Sequence, residues 1–334
     1  MDAGEISRKL IGALRDHGRP HRGVVRRVGD RLRPVVLAAI VVGYASGCGG
    51  SGAADADLVI AFTNEHDLYV MSDDGSSKRR LARGQWYVSG PAWSPDGRTI
   101  AFAGTEELLG DETIHVMSAD GSGERSLTEP SRPEGSHLDP AWSPDGQMIA
   151  FRVRSGEGDE IYVMNADGSG LRNLTQTPDI DEGSPAWSPD GHTIAFSRAR
   201  YPSNGEIYVM NIDGTGLRAL TRPSDDFDWS SPAWSPDGSM IAAISGDAYY
   251  GGGIYVMNAD GSGLRNLTQS DDDLNWDPTW SPDGRMLAFA RDLGIGHDSD
   301  IYMMNADGSE LRNLTESEGE DGEPSWRSLE ATGD

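Results

Sequence analysis

The side chains with most scope for chemistry in this 334-residue chain are carboxylates standing beside aromatic rings. Asp139, Asp277 and Glu323 each directly precede a short Pro-x-Trp phrase, and two adjacent pairs, Asp228-Trp229 and Trp276-Asp277, set an indole next to an acid. Flat apolar rings with an acidic rim suit the ammonium or guanidinium of a basic peptide, a sugar, or a bound cation. Asp139, Asp228, Trp229, Trp276, Asp277 and Glu323 are therefore taken as the candidate binding face, with both indoles expected to be exposed.

A second pattern invites a calcium reading. In NADGSG, residues 165–170, Asn165, Asp167 and Ser169 mimic the opening of an EF-hand loop, which also needs a bidentate Glu at its twelfth position. Counting on from Asn165, Asn211 and Asn258 reaches Gln176, Arg222 and Gln269; only Asn305 reaches an acid, Glu316. A plain Gly-rich hairpin turn accounts for the phrase better. No cofactor is expected, and calcium is the one ion the pattern leaves open. The chain has no GxSxG elbow, HExxH pair, paired-cysteine site or phosphate-binding glycine loop. His66, His115, His137, His192 and His297 lie far apart in sequence and read as packing or surface residues, so no catalytic residue is assigned.

The third reactive group is the thiol of Cys48, the single cysteine, so an internal disulfide is excluded. Arg26, Arg27, Arg31 and Arg33 lead into the apolar run PVVLAAIVVGYA, residues 34–45. About 20 residues are needed to cross a bilayer as a helix, so this run fits the apolar core of a secretory signal instead. The sequence Ala45-Ser46-Gly47-Cys48 resembles the lipobox of bacterial lipoprotein signal peptides. That resemblance implies that Cys48 receives a diacylglyceryl group and becomes the mature N-terminus. Residues 1–47 are then a lipoprotein signal peptide, residues 48–56 a Gly/Ser/Ala-rich flexible tether, and residues 57–334 the folded body. The expected location is the cell envelope, lipid-anchored to the membrane on its extracytoplasmic or periplasmic side.

Charge narrows the partners. Residues 1–47 hold 9 basic and 4 acidic groups, whereas the rest holds 19 against 50, a balance of −31. A surface this acidic repels nucleic acid and anionic lipid and attracts cations or basic protein segments. The expected partner is a basic envelope protein or peptide, with no nucleic acid and a monomeric body.

What must position these groups is a repeat. PAWSPDGRTIAF, residues 91–102, recurs from Pro140, Pro185, Pro232 and Pro278, with a shortened copy at Pro324. Its Trp falls at 93, 142, 187, 234, 280 and 326, spacings of 49, 45, 47, 46 and 46. A second phrase, EIYVMNADGSGLRNLT at 160–175, recurs between the copies. Short β-type runs at this period mark propeller blades. Within a repeat, PAWS reads as an inner strand, SPDG as a tight turn, TIAF and IYVM as two strands apolar on both sides, NADGSG as a second turn, and 171–175 as an outer strand. The first repeat lacks its inner strand, and a spare one lies at 323–326. The expected fold is all-β: a six-bladed β-propeller closed by the C-terminal inner strand completing the N-terminal blade. The recurring Trp residues then read as inter-blade packing.

The WSPDG and YVMNADGSGLRNLT phrases resemble the propeller repeats of the TolB family, relatives of WD-repeat propellers, over about 270 residues. TolB itself carries an α/β domain ahead of its propeller, where this chain has a signal and a tether. The resemblance implies the propeller and an extracytoplasmic, lipid-linked setting, and it does not imply TolB's place in the Tol–Pal system.

Strand alternation puts both invariant turns on one face of the disc. The irregular connections gather on the other, where function concentrates on rigid scaffolds. Those connections are acidic, at residues 134–139, 179–182, 225–229, 271–277 and 316–323, and the aromatic insertion 249–253 joins them. Asp139, Asp277 and Glu323 should ring the channel mouth. The leading functional reading is a non-catalytic protein-interaction scaffold. The alternatives are a propeller hydrolase or lyase acting on sugars or lactones, and a protein binding a cation or small ligand.

Overall fold

The computed structural model describes residues 60–328, apart from 82–86, 106–109, 130–132, 157, 201–203, 223–226, 248–250, 269–273, 295–297 and 318. Cys48, the signal and the tether lie outside the described residues, as do His297 and the tyrosines of the 249–253 insertion. Among the described residues every regular element is a β-strand.

The strands form four separate four-stranded antiparallel sheets and one eight-stranded sheet. One repeat shows the pattern: Ser136–Trp142, Met148–Ser155, Gly158–Asn165 and Arg172–Asn173 lie side by side in chain order. The strand Asp321–Trp326 departs from that order. It pairs with Ile60–Asn64 at the other end of the chain, Ile60 opposite Trp326 and Asn64 opposite Asp321.

Six separate four-stranded blades were expected, so the eight-stranded sheet is a difference. It arises from one ladder position, Gly252 opposite Asn275. Equivalent sheet-to-sheet bonds recur elsewhere: Val88 N to His66 O at 3.2 Å, His137 N to Glu112 O at 2.8 Å, Trp229 N to Gly205 O at 3.0 Å and Asp321 N to Ser299 O at 2.8 Å. Asn275 Nδ2 adds a side-chain bond at the same point, donating to Gly252 O at 2.8 Å, while a Cβ at Gly252 would meet Ser245 O of its own hairpin at 2.3 Å.

The repeated letters turn out to be fasteners. In SPDG, Ser94 Oγ donates to Asp96 Oδ1 at 2.6 Å and accepts from Thr99 N at 2.9 Å, while Gly97 takes φ +64°. Each later copy repeats this bond, at Ser143–Asp145, Ser188–Asp190, Ser235–Asp237 and Ser281–Asp283. In NADGSG, Asp167 Oδ1 accepts from Ser169 N, and Gly168 at φ +92° presses against Leu127 O of the preceding sheet, 2.8 Å from where a Cβ would stand. The Arg of the LRxLT phrase that follows crosses to the next repeat's turn: Arg172 to Ile212 O at 2.8 Å, Arg265 to Ala306 O at 3.0 Å, and Arg312 to Asp73 O at 3.3 Å.

The outer strand is shorter than the expected 171–175, reduced to Arg172–Asn173. The reason is the final Thr of the motif. Thr175 Oγ1 accepts the Ile161 N–H at 3.1 Å, taking over from the ladder. Thr128, Thr221, Thr268 and Thr315 do the same for Ile114, Ile207, Ile254 and Ile301.

The core lies between the sheets. The second and third strands bury side chains from both faces, such as Ile149, Phe151, Ile161 and Val163, all at 0% exposure. Trp187 Nε1 donates to Ala141 O and Trp280 Nε1 to Ala233 O, each at 3.1 Å, joining one inner strand to that of the preceding repeat.

Candidate functional site: an acidic ring at the channel mouth

All six inner strands slip register at the same two residues, the Pro of the repeat and the residue before it. Proline has no N–H for a ladder, so bulges and sheet edges are where strands tolerate it. The preceding residue is forced into left-handed backbone in every case: Gly90 at φ +56°, Asp139 at +53°, Ser184 at +50°, Ser231 at +48°, Asp277 at +50° and Glu323 at +52°. Five of these six are not glycine. Such strain persists only where surrounding structure enforces it, and it clusters at functional positions.

These six residues and the prolines behind them line one central cavity of about 230 Å³. The ring is bonded to itself. Glu323 Oε2 accepts from Gly90 N at 2.8 Å and from Thr63 Oγ1 at 3.1 Å. Ser231 Oγ donates to Asp277 Oδ1 at 3.0 Å, and Ser184 N donates to Asp139 Oδ2 at 3.3 Å. Arg152 is the cation that faces it, with Nε 2.9 Å from Asp139 Oδ2 and a second contact to Asp159 at 3.3 Å.

Burial pushes the Asp277 carboxyl up to about 6, with Asp139 adding to the shift against the Ser231 hydrogen bond. Glu323 rises further, to about 8, through burial first and then the neighbouring Asp277 charge. Asp277 and Glu323, buried side by side, cannot both ionise cheaply. A cation entering the mouth would relieve both the crowding and the protonation.

Beside the ring runs a groove of about 580 Å³, bounded by His66, Tyr87, Glu112, Trp276, Asp277 and Glu323 among others. The His66 and Tyr87 rings lie 4.5 Å apart. Glu112, held by Ser89 Oγ at 3.2 Å, is raised above the usual carboxylate range by burial.

Asp139, Asp277 and Glu323 thus stand together, and Trp276 borders the groove as a half-buried ring that also packs into two apolar clusters. Trp229 corrects the expectation of an exposed indole: it is 3% exposed, stacked on Phe227 at 5.7 Å and edge-on to Tyr255 at 5.1 Å. The cause is register. Two residues before each ring position the chain points between sheets, and Val88, His137, Glu182, Trp229, Asn275 and Asp321 are all buried there. Asp228 is elsewhere too, its Oδ1 accepting from Gly205 N at 2.6 Å.

That same slot holds two acids that the sequence placed among the irregular acidic connections of the mouth face and that the structure buries. Glu182, at 2% exposure, accepts from Thr177 Oγ1 at 2.9 Å and pairs with Arg198 at 3.2 Å. Asp321, fully buried, is bonded by Asn64 Nδ2 and Ser317 Oγ. Aligning the repeats two residues ahead of each ring position would have exposed both as polar intruders in a buried register. Among the described residues, no group of three or more His, Cys, Asp or Glu side chains is arranged to hold a metal ion.

Stacked four-stranded sheets around an axial mouth define this molecule as a β-propeller. The chain belongs to the TolB beta propeller domain family, whose model matches residues 61–330. A segment of 61 residues is 39% identical to the Tol-Pal system protein TolB of Zymomonas mobilis, covering 18% of this chain and 13% of that protein. Among solved structures, TolB from Acinetobacter baumannii superposes with a TM-score of 0.69 at 22% identity, over 81% of this chain and 67% of that one. The putative TolB from Agrobacterium tumefaciens gives 0.64 at 22% identity, over 79% and 90%. At such identities these structures speak for the fold alone.

Proposed function

We propose that this protein is an extracytoplasmic, lipid-anchored six-bladed propeller that acts as a non-catalytic interaction scaffold in the bacterial envelope, capturing a basic protein segment at its acidic mouth. The observation that carries this reading is the ring itself: six equivalent strained positions, three of them filled by Asp139, Asp277 and Glu323. The six-blade count treats the eight-stranded sheet as two blades bridged at Gly252, and the pairing of Asp321–Trp326 with Ile60–Asn64 supports closure of the ring through the chain's tail. Membership of a family that includes a Tol-Pal system protein supports an envelope setting. The lipid anchor rests on the Ala45-Ser46-Gly47-Cys48 motif, and no cofactor is assigned; calcium is the ion to titrate.

The groove beside Trp276 favours a second reading, a small organic cation held between aromatic walls and carboxylates. One titration addresses the first. Fluorescence anisotropy with an arginine-rich peptide should show salt-sensitive binding that weakens by at least about tenfold in the Asp139→Asn, Asp277→Asn double variant. The variant should stay folded with only a modest shift in melting, because loss of the Arg152–Asp139 ion pair is opposed by removal of the buried Asp277 charge. Undiminished affinity in that variant would place the capture site somewhere else.

A further inference from the structure

The face opposite the acidic mouth carries an apolar feature that scaffold function leaves unexplained. Among the described residues five large hydrophobic side chains are exposed, and four of them occupy a single repeat position: Leu171 at 40%, Leu217 at 42%, Leu264 at 46% and Leu311 at 45%. Each is the Leu of the LRxLT phrase that follows the NADGSG-type turn. In the first two repeats the position holds Lys78 and Glu124 instead. Exposed apolar residues scattered singly need no explanation. Four in register along successive sheets do, in a molecule that buries nearly all its other large hydrophobics.

Two further observations say what covers them. The chain enters its first strand at Ile60, which pairs with Met71 and Trp326, the residues that end their strands at the turn face. Eleven residues, 49–59, separate Cys48 from that point, and a Gly/Ser-rich chain of this length reaches roughly 18 Å on average. A lipid on Cys48 therefore draws the turn face, not the mouth, toward the bilayer. Charge agrees. Each Asp of the NADGSG-type turns lies near an Arg of the preceding repeat: Asp120 near Arg79, Asp167 near Arg125, Asp213 near Arg172, Asp260 near Arg218, Asp307 near Arg265, and Asp74 near Arg312. The SPDG turns add Asp96, Asp145, Asp190, Asp237 and Asp283 without such partners among the described residues. This row of arginines offsets the outer-turn acids, so the turn face, though still acidic, offers anionic headgroups basic partners along its rim.

We propose that the turn face is a membrane-docking surface whose four exposed leucines enter the headgroup region of the bilayer, holding the acidic mouth away from the membrane. Each leucine is followed by an arginine, an apolar-plus-basic pairing that suits the interface. The inference rests on the anchor reading for its orientation, and the leucines test it independently.

The experiment uses the full chain, acylated and reconstituted in vesicles of phosphatidylethanolamine and phosphatidylglycerol, alongside the full-length Cys48→Ser chain. Hydrogen exchange should slow by at least about threefold in peptides containing Leu171, Leu217, Leu264 and Leu311 on vesicles, and stay unchanged around Asp139 and Asp277. Changing all four leucines to Ser should erase that protection while leaving melting in solution unaltered, since the side chains are exposed. With the Cys48→Ser chain, vesicle flotation should be weak and fall at least about fivefold further on the four Leu→Ser changes. Protection at the mouth, none at the leucines, or flotation indifferent to them each overturns the proposal. So does a Cys48→Ser dimer in solution that the Leu→Ser changes disperse, which would make the leucines a self-association surface. A chain lacking the diacylglyceryl mass at Cys48 sinks the anchor reading, and the flotation comparison then decides the leucines alone.

Discussion

The two faces of this propeller solve the same geometric problem in opposite ways. On the turn face each repeat uses one answer: a Ser–Asp clamp in SPDG, and an Asp–Ser bond with a left-handed Gly in NADGSG. Hydrogen bonds from the following Ser or Thr, first its hydroxyl and then its backbone N–H, hold Asp120, Asp167, Asp213, Asp260 and Asp307 below the usual carboxylate range. Those carboxylates are committed to local structure. At the mouth the backbone is just as uniform, since all six ring residues share a left-handed φ near +50°. Their side chains are not uniform: Gly, Asp, Ser, Ser, Asp and Glu. Where backbone and side chain repeat together, the repeat is architecture. Where the backbone repeats under side chains that differ, and acids there are pushed up to about 6 and about 8, the scaffold is presenting something.

The comparison breaks most violently if the tail strand is not part of the architecture. Deleting residues 321–334 removes the partner of Ile60–Asn64 and the Trp326 that packs with Ile60, Phe62 and Ile301. Buried apolar surface would open along a bare strand edge, so melting should lose cooperativity or drop by more than about 10 °C. Scanning calorimetry checks it, and a sharp transition at the original temperature would mean that each sheet stands without its neighbours.

Next in size is the turn face itself. In Gly168→Ala the new methyl meets Leu127 O at 2.8 Å on a backbone at φ +92°, where no side chain is comfortable. A loss of about 2–4 kcal/mol in urea unfolding is expected, from the left-handed backbone and the clash together.

Much of this was legible in the letters. The Trp spacing marks the repeats and the strand order within each, because packing between repeats demands a ring in each one, while the number of separate sheets departs from the expected six. The missing first inner strand and spare last one fix the pairing of Ile60–Asn64 with Asp321–Trp326. Ring positions were legible for a different reason: the Pro after Asp139, Asp277 and Glu323 marks a bulge. Trp229 was not, because a one-residue change of register moves a side chain from channel to core, and the buried position two residues before each ring residue holds Val, His, Glu, Trp, Asn and Asp in turn, so no residue type marks it. The bridging of two sheets at Gly252 was equally hidden, since it depends on how closely two backbones approach.

The mouth's protonation gives a prediction with opposed signs. Asp277 and Glu323 titrate at about 6 and about 8 when folded, against about 4 when unfolded. Between those limits the folded chain holds protons that the unfolded chain has released, so stability falls as pH rises from about 4.5 to about 8. Capture of a basic peptide should move the other way and strengthen from pH 6 to 8, as both groups gain charge. Glu323→Gln should flatten the stability profile and gain about 2 kcal/mol at pH 8, well short of the full shift because the group keeps some solvent contact. Equal pH slopes for wild type and variant, measured by urea unfolding, would remove Glu323 from the account.

The smallest effect is also the sharpest test of the distinction between faces. Ser184 sits in the ring at φ +50°, a position where Gly90 shows that glycine fits. Its contribution to the ring is a backbone N–H, donated to Asp139 Oδ2, which Ser184→Gly keeps. Relief of the left-handed backbone strain should outweigh the added freedom of the unfolded chain and raise stability by up to about 1 kcal/mol. Peptide capture should be unaffected, because Asp139 and Asp277 keep their places. If Ser184→Gly instead destabilises, the serine side chain carries structure at the mouth as the turn serines do on the opposite face. The division between a committed face and a presenting one would then fail at the ring itself.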